Sequence, residues 1–262
     1  MMRNKIIIAL FVLIGALTAC KSQYEMLLSS SDVDLKYKAA FEFFNQGKYT
    51  KAAQMFESIS LLTEGTEKDD TVQYYRGLSN YLSKDYYTAE GNFSQFLAKF
   101  PRSAFKANAM YYHVDCLFRQ TLRYELDQRP TYTAMGAIGE YLAEFPTGEH
   151  ANICKDMMTT LGNRLDKKAY ENAKLYYKME DYKAARVALK NVLKDDADNI
   201  YREDILYYSA MASYKYADLS VRSKQKERFL VFIDDYLNFI GEYPESHYRK
   251  ELDALYNKVK GK

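Results

Sequence analysis

The side chains that do chemistry most often are sparse here and badly spaced for it. His113, His150 and His247 stand far apart, with no Cys or carboxylate at ligand spacing from any of them. They read as surface or groove residues, and no metal is expected. Cys116 and Cys154 could pair in an oxidising compartment, but both lie in helical patterns with apolar neighbours, which favours buried free thiols. No phosphate-cradling glycine loop, nucleophile elbow or dinucleotide fingerprint occurs. Carboxylates are plentiful on solvated faces, and none sits in the apolar setting that would hold a general acid protonated. A catalyst is not expected, and neither is a cofactor.

One cysteine does carry a chemical expectation. Met1 to Lys5 is a short basic leader, Ile6 to Leu17 is almost wholly apolar, and Leu17-Thr18-Ala19-Cys20 closes the run. A dozen apolar residues fall short of the roughly 20 that span a bilayer as a helix, so residues 1–19 read as a removed secretory signal. Leu17-Thr18-Ala19-Cys20 resembles the bacterial lipobox, whose cysteine is diacylated at sulfur and acylated at the freed amine. Several acyl chains make a firm anchor where one holds only marginally. Residues 20–34, with Ser29-Ser30-Ser31, read as a tether, and either Asp32 or Asp34 can cap the helix that follows.

The elements beyond the tether repeat. An aromatic, a small residue three places on and a second aromatic four further recur at Tyr37-Ala40-Phe44, Tyr74-Gly77-Tyr81, Tyr111-Val114-Phe118, Tyr170-Ala173-Tyr177 and Tyr207-Ala210-Tyr214. The anchors are 37, 37, 59 and 37 residues apart, close to the period of about 34 of the tetratricopeptide helix pair. Second helices follow at Tyr49-Ala52-Phe56-Ile59, Tyr86-Ala89-Phe93-Phe96 and Tyr182-Ala185-Leu189-Val192. Thr131-Ala134-Ile138-Tyr141 and Phe229-Phe232-Tyr236-Phe239 need longer connections, so repeats three and five carry insertions. Pro101, Pro146 and Pro244, each after an aromatic, stop their helices.

The expected fold is therefore all-α: a right-handed α-solenoid of five tetratricopeptide-like helical pairs, near 35–62, 70–101, 104–146, 161–195 and 202–244. A capping helix is expected over 246–260, and residues 149–168 read as a long helix or a helical extension into repeat four. The stretch between Ser213 and Phe229 is an insertion rich in Lys and Arg, either a solvated helical face or a surface for an acidic partner. A net charge of +2, from 37 basic and 35 acidic residues, argues against nucleic acid as a partner.

First helices of such stacks line the concave face. Tyr37, Phe41, Tyr74, Tyr81 and Tyr111 would make the N-terminal half of that groove aromatic, and Lys167, Lys174 and Lys178 would make the C-terminal half basic. Such a trough suits an extended or strand-like polypeptide with an aromatic end and a carboxylate.

The lipobox cysteine, Leu27-Leu28-Ser29-Ser30-Ser31-Asp32, the run Asp34-Leu35-Lys36-Tyr37 to Gly47-Lys48-Tyr49, the Asp127-Gln128-Arg129-Pro130-Thr131 insertion and Asn163-Arg164-Leu165 to Tyr176-Tyr177 together resemble the BamD family. The resemblance implies a lipoprotein held by Cys20 on the periplasmic face of the outer membrane, working without chemistry of its own in β-barrel assembly. It implies two partners. One is a BamA-like barrel protein, docked through its POTRA domains on the C-terminal repeats, with Arg186, Lys190 and Arg202 as candidate contacts. The other is the targeting strand of unfolded outer-membrane proteins, received by the N-terminal groove. The family's docking arginine in repeat four falls here on Ala188. The alternative is a periplasmic tetratricopeptide lipoprotein that coordinates envelope or peptidoglycan enzymes.

Overall fold

The computed structural model describes residues 24–261, so the signal segment and Cys20 lie outside the described residues. Every regular element described is helical. A short helix over residues 24–29 (α1) precedes five consecutive pairs. These are α2 (Val33–Asn45) with α3 (Tyr49–Ser60), α4 (Asp69–Leu82) with α5 (Tyr86–Lys99), α6 (Lys106–Arg119) with α7 (Arg129–Glu144), α8 (Ala151–Lys178) with α9 (Tyr182–Asp195), and α10 (Arg202–Asp218) with α11 (Arg222–Glu242). The last helix, α12 (Arg249–Val259), buries Leu252 and Val259 as the expected cap. No helix among the described residues is long and apolar enough to cross a membrane.

The chain divides into two compact units. One comprises the described residues up to Thr121 together with Arg129–Met157, and the other Leu122–Gln128 together with Met158–Lys262. In the first unit, Ala39, Ala40, Ala52, Met55, Phe56 and Ile59 form one core, and Tyr74, Ala89, Phe93 and Phe96 another. The small third position of the repeat is steric in origin. A Cβ on Gly77 would lie 3.0 Å from Cε1 of Phe93, so only glycine lets the second helix of that pair approach unhindered. In the second unit Ala210, Phe229, Phe232 and Phe239 form the larger core.

Helix ends follow local chemistry. Asp32, rather than Asp34, caps α2 by accepting from the Leu35 amide at 2.9 Å. Asp85 and Asp181 cap α5 and α9 in the same way, at 3.1 Å from the Thr88 and Ala184 amides. The turns before α3, α5 and α9 share one conformation. Gly47, Lys84 and Glu180 take φ of 71°, 68° and 61°, and the amides of Lys48, Asp85 and Asp181 reach back to the carbonyls of Phe43, Asn80 and Tyr176. Phe100 and Tyr243, each before a proline, are the C-caps of α5 and α11.

One expectation needs correcting. Residues 24–34 are not a free tether, because α1 lays Leu27 and Leu28 on the first core and Tyr24 donates to Gln54 Oε1 at 2.5 Å. Of the two readings of 149–168, the long helix is the one found: those residues run into a single 28-residue helix, α8. The Lys/Arg-rich insertion is helical, as its solvated-face reading had it: it lengthens α10 to Asp218 and starts α11 at Arg222, with only Leu219-Ser220-Val221 between them.

Candidate functional site: two surfaces on the helical pairs

The aromatic residues of the first unit were expected to line a groove, and their neighbours show how much of each ring is free. Tyr74 is 4% exposed and stacks on Phe105 at 4.4 Å and 9° between ring planes, with Phe93 and Phe96 beside it. It is a core residue, and this corrects its place in the groove. Burial pushes its phenol pKa well up. The other four candidates are half-buried. Tyr37 meets Phe41 edge to face at 5.0 Å, and Phe41 continues onto Phe56 and Tyr75. Tyr81 donates to Asp115 Oδ2 at 2.6 Å, the same oxygen that Arg119 Nε reaches at 2.5 Å. Burial first, and the Asp115 carboxylate second, raise the Tyr81 pKa. Tyr111 stacks on the His150 ring at 3.7 Å.

These contacts belong to a rule that the sequence pattern does not announce. Each anchor faces the residue immediately before the next first helix. Tyr74 stacks on Phe105, Tyr111 on His150, Tyr170 on Tyr201 at 4.9 Å, and Tyr207 on Tyr248 at 3.8 Å. In the first repeat the slot holds a cation, with Lys68 Nζ 5.1 Å from the Tyr37 centroid. Three of the five closing aromatics follow a second rule. Phe44 meets Tyr49, Tyr81 meets Tyr86 and Tyr177 meets Tyr182, all edge to face at 5.4 to 5.5 Å. The repeated aromatics named here therefore join consecutive helices, and the part of each ring left exposed remains for a ligand.

In the second unit the three docking candidates all have internal partners. Arg186 Nε and Lys190 Nζ reach the two oxygens of Asp235 at 2.9 and 2.6 Å, and Ser213 donates to the same carboxylate. Arg202 grips Glu242 with two nitrogens, at 2.7 and 2.8 Å, and gives a third bond to the Ala197 carbonyl. The hydrogen bond from Arg202 lowers the Glu242 pKa. Lys190 and Arg202 line one cavity of about 570 Å³, whose wall also includes Lys194, Leu206, Ser209 and Asp234. The Ser209 hydroxyl there is buried without a hydrogen-bond partner. The basic groove residues are also partly engaged: Lys174 donates to the Tyr170 hydroxyl at 2.8 Å, and Lys167 lies 4.6 Å from the Tyr124 centroid.

The segment around the third-repeat insertion is held by α8. Lys168 donates to the carbonyls of Tyr124 and Leu126 at 3.0 and 2.9 Å, and Arg164 to that of Leu122 at 3.0 Å. Cys116 and Cys154 are free and buried, and burial pushes their thiols up to about 12 and about 11. No group of three or more His, Cys, Asp or Glu among the described residues is placed to hold a metal ion.

Consecutive helical pairs joined by aromatic contacts define a tetratricopeptide-type protein, a class whose surfaces bind other proteins. The model of the YfiO family, outer membrane lipoproteins, matches residues 30–229, and the chain belongs to that family. The outer membrane protein assembly factor BamD of Caulobacter vibrioides is 19% identical over 208 residues, covering 78% of this chain and 68% of its own. A thermophilic TPR protein of Thermus thermophilus, known as a crystal structure, covers 86% of this chain and 98% of its own at 13% identity and a TM-score of 0.34.

Proposed function

We propose that this chain is a lipid-anchored, non-catalytic scaffold of outer-membrane protein assembly, facing the periplasm and held by acyl chains on Cys20. The family match over residues 30–229 carries the reading, and the relative in Caulobacter vibrioides, an assembly factor by name, supports it. Partners would be a BamA-like barrel protein, held through its POTRA domains, and unfolded outer-membrane proteins. For the substrate, the contacting atoms would be the free edges of Tyr37, Phe41, Tyr81 and Tyr111, a row of amphipathic rings suited to an extended segment. For the barrel protein, the cavity beside Lys190 and Arg202 offers Lys194 and Asp234, which have no ion pair among the described residues. The paired Arg186, Lys190 and Arg202 would then shape that surface as well as touch the partner.

Crosslinked purification of the tagged, lipidated protein from its own membranes tests the reading. Recovery of a POTRA-bearing barrel protein is expected. Recovery of cell-wall enzymes alone would keep the fold and overturn the function.

A further inference from the structure

Helix α1 runs back along the first helical pair. Its first residue, Tyr24, packs on Phe43 in the last turn of α2 at 5.5 Å, and Lys51 in the first turn of α3 lies 5.0 Å from the Tyr24 centroid. Leu27 and Leu28 are seated on the core of the pair, and the chain then enters α2 at Val33. Tyr24 is thus fixed at the end of the pair where the turn Gln46-Gly47-Lys48 lies, and Leu61, 82% exposed, marks the opposite end of α3.

Four peptide links separate Cys20 from Tyr24 and reach at most about 14 Å, whereas a free tether from Cys20 to Val33 would reach about 45 Å. We propose that docking of α1 turns the lipid anchor into an orienting device, holding the α2–α3 turn of the first unit against the lipid head groups and pointing the Leu61 end away. This rests on the reading of Cys20 as the lipidated residue. The side chains at that turn suit it. Lys48 and Lys51 are exposed cations for head-group phosphates, Lys84 extends the set on the α4–α5 turn, and the only acidic residue in these two turns, Asp85, is engaged in capping α5.

The chain has no tryptophan, so Lys48→Trp or Leu61→Trp supplies a sole donor for energy transfer to a head-group dye. The two sites stand at the ends of α3, which spans about 18 Å. Each full-length lipidated variant is incorporated into phosphatidylethanolamine and phosphatidylglycerol vesicles that contain dansyl-labelled phosphatidylethanolamine. Transfer should be severalfold stronger from Lys48→Trp than from Leu61→Trp. Adding Tyr24→Ala and Leu28→Ala should undock α1 and bring the two signals together. Equal transfer from the two ends, or stronger transfer from Leu61→Trp, overturns the orientation, and a difference that survives undocking overturns α1 as its cause. Cys20→Ser separates the two layers of argument. Its release from vesicles leaves the anchor standing whatever the transfer result, and its retention overturns anchor and orientation together.

Discussion

Replacing Tyr74 by alanine should cost stability first and binding only as a consequence. The ring is 4% exposed and contacts Phe93, Phe96 and Phe105 with centroids 6.2, 5.9 and 4.4 Å away. Truncating a buried aromatic removes its transfer free energy and leaves a cavity that rigid neighbours cannot fill, at about 3–5 kcal/mol. Against a domain stability of about 5–15 kcal/mol, that is a large fraction. Tyr74→Phe keeps every ring contact and should lose only about 1 kcal/mol with the hydroxyl. Stacking on Phe105 adds a term specific to the pair. A double-mutant cycle of Tyr74→Ala with Phe105→Ala should return a coupling of about 0.5–1.5 kcal/mol.

Guanidinium unfolding, followed by circular dichroism in the helical band, measures all three quantities. An unchanged midpoint for Tyr74→Ala, together with zero coupling to Phe105, would refute the assignment of the anchors to helix joining. If affinity for an outer-membrane protein C-terminal peptide then fell at constant stability, Tyr74 would return to the groove. The same cycle on Tyr207 and Tyr248, stacked at 3.8 Å, asks whether the rule holds in the second unit.

Other substitutions address single features. Lys84→Gly and Glu180→Gly relieve left-handed backbone at φ of 68° and 61°, so each should raise the calorimetric melting temperature, by a gain of about 0.5–1 kcal/mol. Lys48→Asp should add the cap that α3 lacks and that Asp85 and Asp181 supply to α5 and α9, again for about 1 kcal/mol by denaturant unfolding. Glu242 has a depressed pKa through its hydrogen bond from Arg202, so its stabilisation is present above the ordinary glutamate value of about 4.3 and lost as the pH falls through the folded one. The pair is about one-third exposed, so Glu242→Gln should cost under about 1 kcal/mol at pH 7, with the cost vanishing in acid. A cost that grew on acidification would contradict this. Alkylation of Cys116 and Cys154 at pH 8 should await unfolding, because both thiols are buried and protonated far above that pH; rapid native-state labelling by mass would refute it.

The helical pairs were legible in the sequence because their determinants lie within a few residues of one another. Tyr74, Gly77 and Tyr81 share one face, and the caps, prolines and turn glycine stand beside the ends they make. What the sequence hid was the partner of each anchor. Lys68, Phe105 and Tyr201 all follow their anchors by 31 residues, but His150 and Tyr248 follow by 39 and 41 because repeats three and five carry insertions. The slot accepts a cation, a phenyl, an imidazole or a phenol, so no single residue type marks it. The partners of the basic candidates were equally remote. Arg186 and Lys190 reach Asp235 across 49 and 45 residues, and Arg202 reaches Glu242 across 40. Helix α1 was missed because six residues are too few for a periodicity, although Tyr24, Leu27 and Leu28 already carried its spacing of three and four.

The two aromatic rules also bear on how contact residues in such a chain are recognised. A tyrosine that recurs in phase with the repeat is accounted for by the helix it joins, and recurrence is then evidence for folding rather than for binding. Contact residues are better sought among those that break the phase and stay solvated. Tyr87 is 80% exposed in the first turn of α5, where Tyr86 beside it makes the joining contact. Lys194 and Asp234 face the cavity that Lys190 and Arg202 close with their own ion pairs. The paired charges would be costly to unpair for a partner, since a carboxylate as buried as Asp235 would be left without its cations. Solvated Lys194 and Asp234 can take a partner at little cost. A docking partner should therefore select the second pair and leave the first intact.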